Sequence, residues 1–268
     1  MLFRSISPHT AARLIDDKEI DLFPLLNAAY QVRKTYWKNE VAIHILNNTQ
    51  NGYCAEDCHY CAQAKNSEAE IEAYPMKKDE EIIEEAKRAY ESGAFRYCMV
   101  MAGRGPSKRR LDHFSSLIKT IKEKYPLEVC LSAGLLDQDA AAQLKEAGLD
   151  RLNHNLNTSE SMYEKICTTH TFEDRMNTLT SAQTAGLELC SGLIVGMGES
   201  ASDVVDVALK LRSMKVQSIP VNFFIPIPGA QLKSEPNLTP EKCLRILSVF
   251  CEIFFLPEVI KSLFPDVS

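Results

Sequence analysis

The segment Asn51-Gly52-Tyr53-Cys54-Ala55-Glu56-Asp57-Cys58-His59-Tyr60-Cys61 holds three thiols within eight residues, spaced C-x-x-x-C-x-x-C. A cubane iron–sulfur cluster is normally held by four cysteine thiolates. Three, with no fourth close by, leave one iron open, and an open metal position is where a substrate or cofactor binds. A structural zinc site competes with this reading, because zinc takes four tetrahedral ligands, often as two close pairs. His59 could be the fourth ligand, but it lies between Cys58 and Cys61, too near in sequence for easy chelation beside both. No second C-x-x-C pair occurs anywhere in the chain. The nine cysteines are odd in number and a chain of 268 residues needs no staples, so a disulfide framework fits poorly.

The elements that must position this loop alternate along the chain. Two helical segments come first, about 8–17 and 23–37. Strands follow near 41–46, 95–101, 127–132, 149–155, 187–195 and 217–224, with helices near 80–92, 111–124, 138–147, 172–185, 201–214 and 240–254. Gly93, Gly148 and Gly186 stand where helices should stop. Six strand–helix units imply a parallel sheet covered by helices. Short apolar strands without strict alternation fit strands buried on both faces. The expected fold class is therefore α/β, a TIM-type barrel of parallel strands preceded by a helical segment at 1–40, with the barrel spanning 41–268. A full barrel needs eight units. Only one further strand, near 259–264, can be drawn, so the barrel is expected to stop one or two βα units early.

In such barrels the reactive groups sit on loops at the C-terminal ends of the strands, and the cysteine loop follows the first strand. Gly192-Leu193-Ile194-Val195-Gly196 ends the fifth strand; it reads as a strand-to-helix turn or as a place where a flat ring meets bare backbone. Gly103-Arg104-Gly105 is an incomplete dinucleotide fingerprint and reads as a turn. Cys98, Cys130 and Cys190 fall on the second, third and fifth strands. Each alone reads as a small hydrophobe, but inward residues of neighbouring barrel strands converge and could hold a second soft-metal centre. Cys167, Cys243 and Cys251 read as structural. Arg151-Leu152-Asn153-His154-Asn155-Leu156-Asn157-Thr158 ends the fourth strand with alternating amides, suited either to hydroxyls and urea-like rings or to capping. His154 reads as a satisfied packing histidine. Asn222 is a polar exception in an apolar run.

Hydrophobic residues make up 45% and charged residues 25%, ordinary for a soluble globular protein. The formal charge of −6 argues against a nucleic-acid partner, which asks for a basic face. Lys108-Arg109-Arg110 reads as a solvated helix start. The first residues contain no apolar secretory core, and no apolar run reaches the ~18 residues of a membrane span. Free thiols without an export signal point to a reducing cytoplasm.

The cysteine loop, with Tyr60 just before its third thiol, resembles the radical S-adenosylmethionine (SAM) superfamily. Beside that loop, Gly192 to Gly196 looks like the superfamily's adenine-contacting element. From about Phe23 to Leu232 the chain resembles the biotin synthase family. The most specific stretches are Tyr53 to Gln63, Asn153 to Thr158, Cys190-Ser191-Gly192 and Ser218 to Asn222. The resemblance implies a sulfurtransferase that converts dethiobiotin to biotin. Cys54, Cys58 and Cys61 would hold a [4Fe–4S] cluster whose open iron takes SAM. Cys98, Cys130 and Cys190 would hold a [2Fe–2S] cluster that donates sulfur. Tyr60, Asn155, Asn157, Arg175, Gly192, Ile194 and Gly196 would contact SAM, with Asn155 and Asn222 toward the substrate. An electron donor such as flavodoxin or ferredoxin and a homodimer are further implications. The family's last [2Fe–2S] ligand is an arginine in a Gly-Arg-Glu element. No arginine follows Arg245 in this sequence, so that ligand is expected to be missing, which leaves the activity open. The same cysteine loop also fits a related radical SAM barrel enzyme, of the hydrogenase maturase or methylornithine synthase kind, and a remnant that still binds cluster and SAM.

Overall fold

The computed structural model describes residues 6–233 and 238–255. Two helices lead, α1 (Pro8–Asp16) and α2 (Leu22–Trp37). Then follow β1 (His44–Gln50), α3 (Asp79–Glu91), β2 (Arg96–Met101), α4 (Lys108–Lys124), β3 (Glu128–Ser132), α5 (Gln138–Glu146) and β4 (Arg151–Asn153). The short α6 (Tyr163–Ile166), α7 (Phe172–Thr184), β5 (Glu188–Cys190), β6 (Leu193–Val195), α8 (Ala201–Ser213), β7 (Val221–Phe223) and α9 (Pro240–Phe254) complete the order. Helix starts are written in the sequence. Ser107, Asp137, Thr171, Ser200 and Thr239 each accept a first-turn amide with a side-chain oxygen. Thr171 with Asp174, and Ser200 with Asp203, close reciprocal capping boxes. Behind α3, Gly93 takes φ 76° and turns the chain toward β2.

β1 to β5 form one parallel sheet in sequential order, and β6 pairs with β7 in parallel. The fifth strand, expected as one piece, is two: Ser191-Gly192 breaks it. Bridges from Asn157 to Leu193 and from Cys190 to Ser218 carry the pairing past the break. Gly192 is required there, because a Cβ would stand 1.8 Å from the Pro220 carbonyl oxygen. Among the described residues β1 and β7 do not pair, so the curved sheet stays open. The strand expected near 259–264 lies outside the described residues.

The first strand starts later than its apolar residues suggest. Val41 and Ile43 are exposed, whereas Asn47, Thr49 and Gln50 are buried in β1. Polar residues pass there because their side chains are bonded: Asn47 donates to the Tyr97 hydroxyl, and Thr49 Oγ1 to the Val100 carbonyl at 2.8 Å.

Period-two alternation splits the strands into two faces. Tyr97, Met99, Val129, Leu131, Leu152 and Leu189 are fully buried. They belong to the main core, together with Ile82 of α3 and Phe114 and Ile118 of α4. Each such burial is worth roughly 1.5–3 kcal/mol. The opposite, concave face carries sulfur and charged side chains. Cys98 is in register with Cys130, Cys130 with Arg151, and Arg151 with Glu188, so all four point the same way. Asn153 and its partner Cys190 lie two residues further along that face. The two leading helices lie against the last ones, α1 on α8 and α9, α2 on α9. No described helix is long and apolar enough to cross a membrane.

Candidate active site

The chain leaves β1 through Gly52, whose φ of 80° and close approach to Ala73 exclude a side chain. The Gly52 amide donates to Gln63 Oε1 at 2.8 Å, tying the two ends of the cysteine loop together. Inside it the Cys61 amide turns back to the Cys58 carbonyl at 3.0 Å, and the Lys65 amide to the Glu56 carbonyl at 2.9 Å. His59 is taken up by backbone bonds, its amide to Ile166 and its carbonyl from Leu232, both at 2.9 Å. The loop is thus clasped from the α6 side and from the segment after β7.

Cys54, Cys58 and Cys61 line one cavity of about 340 Å3 at the C-terminal ends of the strands. Tyr60, Asn155, Asn157, Arg175 and Ile194 line it too, so eight of the sequence-predicted residues come together here. Among the described residues the three motif thiols form no compact one-ion set with a fourth ligand. That is what a cubane asks for, since each thiolate then binds a different iron. Soft thiols beside a cavity that also presents amides and arginines fit a [4Fe–4S] cluster with an open iron better than zinc. A larger cavity of about 700 Å3, beside Ser159, Phe172 and Lys210, contains none of the predicted residues.

Arg175, with Arg104, is one of two arginines that line the cavity. Its Nε donates to the Tyr163 hydroxyl, its Nη1 to the Asn155 carbonyl at 2.8 Å and its Nη2 to His170 Nε2 at 2.8 Å. Two of its five N–H donors, one on each Nη, remain for a ligand, the fork that a carboxylate accepts. The Asn155 Oδ1 takes the Gly192 amide at 3.0 Å, which leaves its NH2 group for a ligand. Asn157 stands at φ 71°, a conformation that asparagine tolerates better than most residues, and its carbonyl receives the Ile194 amide at 2.8 Å. Burial pushes the Tyr60 phenol well above its ordinary range, so it stays neutral. His154 is buried as expected but is not satisfied: its Nε2 has no partner among the described residues, and burial keeps the ring neutral.

The second cysteine set lies on the concave face rather than in the cavity wall. Cys98 and Cys130 are neighbours across β2 and β3. The Cys130 thiol is pushed up by the Cys98 thiol first and by burial second. The Cys98 thiol is lowered, first by Cys130 and against burial, with Arg96 and Arg151 assisting. Asn153 Nδ2 lies 3.1 Å from Cys190 Sγ. Beneath them on the same face Arg96 pairs with Glu128 and Arg151 with Glu188. Three thiols converging over two arginines suit an anionic cluster. Asn222 shares its side of the sheet with Ile194, its register partner, and is exposed; Gly192 and Gly196 shape the backbone at β6.

Several residues packed around the cysteine loop escaped the sequence reading. Cys167, expected to be structural, lies 3.8 Å from Cys58 Sγ. With His170 the two form a compact buried group, all ligand atoms within 4.8 Å. The C-x-x-H spacing of Cys167 and His170 was the available signal. Glu56 and Asp57 lie within the cysteine loop itself and anchor it. Asp57 accepts from the Thr168 amide at 2.9 Å and from the Thr168 hydroxyl, and Glu56 accepts from Thr169 Oγ1 at 2.6 Å and from His170. Burial opposes ionisation of Glu56, but the bonds from Thr169 and His170 outweigh it and hold the carboxyl below its usual range. Arg104, set aside as a turn residue, reaches Glu56 at 3.4 Å.

Comparison with known proteins agrees with this geometry. The family model described as the radical SAM superfamily matches residues 51–211. A biotin synthase from Magnetococcus marinus is 58% identical over 246 residues, 92% of this chain and 76% of that protein. One from Acaryochloris marina is 54% identical over 241 residues, 90% of this chain and 70% of that protein. In fold the chain is similar to the crystal structure of methylornithine synthase, with a TM-score of 0.81 at 23% identity, covering 94% of this chain and 75% of that one. It is also similar to the FeFe-hydrogenase maturase HydG from Carboxydothermus hydrogenoformans, with a TM-score of 0.80 at 18% identity, covering 93% and 60% of the two chains.

Proposed function

The chain belongs to the biotin synthase family of the radical SAM superfamily, and from that premise we propose that it inserts sulfur into dethiobiotin to make biotin. One observation carries the reading. The cavity lined by Cys54, Cys58, Cys61 and Arg175 opens at the strand ends of the same sheet whose concave face gathers Cys98, Cys130 and Cys190.

Cys54, Cys58 and Cys61 would hold the [4Fe–4S] cluster, and Cys98, Cys130 and Cys190 the [2Fe–2S] cluster. When bound, the first supplies the electron that splits SAM into methionine and a carbon radical, and the second supplies the sulfur. Unactivated C–H bonds resist acid–base chemistry, so the protein's share is placement. Arg175 presents its two free N–H groups to the SAM carboxylate. Asn155 and Asn157 present amide groups to the ribose, and Asn155 also faces the substrate. Gly192, Ile194 and Gly196 give the adenine a flat backbone to lie on, with the Tyr60 phenol beside it. Asn222 offers its amide to the ureido ring of the substrate. Residues 1–40 serve as the helical segment ahead of a C-terminally incomplete barrel, 41–268. A flavodoxin- or ferredoxin-like donor supplies electrons, and the enzyme works as a homodimer in the cytoplasm.

The test is anaerobic reconstitution with iron and sulfide, followed by SAM, reductant and dethiobiotin. Biotin should form, and Cys54→Ala should lose SAM cleavage while keeping its fold. Zinc in place of iron, or SAM cleavage by the Cys54 variant, overturns the assignment.

A further inference from the structure

His170 joins two parts of the site that no other side chain connects directly among the described residues, the cysteine loop and the Arg175 clamp. Cys167 Sγ sits beside both ring nitrogens, 3.3 Å from Nδ1 and 3.7 Å from Nε2, and each nitrogen has a closer partner of its own. Nε2 faces Arg175 Nη2 at 2.8 Å. A guanidinium is donor only, so Nε2 must be the acceptor. Nδ1 faces the Glu56 carboxylate, which is acceptor only when ionised, so Nδ1 must carry the proton. Both bonds are met by one species, the neutral ring with its proton on Nδ1. The ring is buried, and Glu56 is buried with it. Glu56 lies two residues from Cys54 and two from Cys58. The chain therefore runs from the cysteine loop through Glu56 and His170 to the guanidinium without a gap.

This wiring also bears on the compact group of Cys58, Cys167 and His170. An ion bound there through the ring would have to displace either Arg175 from Nε2 or the proton shared with Glu56. The group is better matched to holding Arg175 than to holding a metal.

We infer that His170 is a positioning residue for SAM: in its Nδ1-protonated form it fixes Arg175 against the cysteine loop, so that ordering the loop around a cluster also aims the two free N–H groups of Arg175. The inference rests on the proposal that Arg175 meets the SAM carboxylate. Tyr163 and the Asn155 carbonyl hold the rest of the guanidinium, so His170 sets one of three anchor points. Removing it should loosen the clamp and leave the cluster thiols in place.

The experiment titrates SAM into reconstituted wild-type protein, His170→Phe, His170→Gln, Arg175→Ala and the double variant His170→Phe/Arg175→Ala. Binding is read from the change in the reduced cluster's electron paramagnetic resonance spectrum, with iron and sulfide counted in each sample. His170→Phe should weaken SAM binding about tenfold with iron content unchanged. His170→Gln, whose amide offers one donor and one acceptor, should recover most of that loss. The double variant should bind no worse than Arg175→Ala alone, because His170 acts through that residue. Wild-type affinity in His170→Phe beside a weakened Arg175→Ala overturns the inference and leaves the role of Arg175 intact. Additive losses in the double variant overturn it as well, as does loss of iron from both His170 variants. Wild-type affinity in Arg175→Ala overturns the assignment of Arg175 itself, and the inference with it.

Discussion

Asp57 Oδ1 accepts the backbone N–H of Thr168 at 2.9 Å across 111 residues of chain, so the cysteine loop and the segment leading into α7 form one unit. The same carboxylate takes the Thr168 hydroxyl and the Thr169 amide. A loop that must hold three thiols for one cluster needs such side-chain anchors beside its backbone bonds to Ile166 and Leu232.

The anchor should be sensitive to acid. Burial raises the Asp57 carboxyl, but the Thr168, Cys167 and Thr169 bonds outweigh it and hold it well below the usual carboxylate range. A depressed folded value means that the contribution to stability is complete above the unfolded value, near pH ~4, and fades as pH falls below it. Asp57→Asn replaces one acceptor oxygen by a donor and should cost about 1–3 kcal/mol at pH 7. Urea unfolding of iron-free protein from pH 3 to 7 checks this. The gap between wild type and variant should close toward pH 3, and a gap of constant size would disprove the account.

Glu252 in α9 behaves in the opposite sense. It is fully buried, neither carboxylate oxygen has a partner among the described residues, and burial pushes it up to about 7. With the folded value raised, the folded state keeps a proton that the unfolded chain has lost. Stability should therefore fall as pH rises from about 4.3 to 7 and level off above. Glu252→Gln removes the ionisation and should be more stable than wild type at pH 8 by roughly 2–3 kcal/mol. The two proteins should converge near pH ~4. Thermal melts at both pH values decide it.

The sequence made some of this legible and hid the rest for physical reasons. The β/α alternation and the helix starts were readable because caps and stop glycines are local: Thr171, Ser200 and Gly93 act within one turn of themselves. The cysteine spacing was readable because ligands of one cluster on one loop must be close in sequence. β1 was misplaced because its buried residues are polar, and only long-range bonds from Thr49 and Asn47 make that burial tolerable. Cys167 and His170 were passed over because their partners, Cys58 and Glu56, lie more than a hundred residues away. The break in the fifth strand was invisible because it depends on the Pro220 carbonyl, which only the fold brings to Gly192.

That contact makes Gly192 a strict position. The Cβ of an alanine would stand 1.8 Å from Pro220 O and 2.8 Å from its carbonyl carbon, both backbone atoms that no rotamer can move. Gly192→Ala must push β6 away from the segment before β7 and should cost about 1–3 kcal/mol or more. The Gly192 amide also holds Asn155 Oδ1, so SAM affinity should drop along with the urea midpoint. An alanine variant with unchanged midpoint and affinity would show that the seam is slack.

Cys98 separates the two cysteine sets by experiment. It is partly exposed on the concave face, in register with Cys130, and it does not line the cavity that holds Cys54, Cys58 and Cys61. As a small side chain away from the core face, its loss should change stability by less than about 1 kcal/mol. Cys98→Ala should therefore retain the first cluster and still produce methionine and 5'-deoxyadenosine from SAM. It should lose the second cluster's share of iron and sulfide, and with it biotin formation, because sulfur insertion needs the donor on the concave face. Iron and sulfide counts, absorption spectra and product analysis on the same sample test each half separately. A variant that keeps all its iron and still makes biotin would remove Cys98 from the ligand set. One that also stops cleaving SAM would mean that the two sites are not independent.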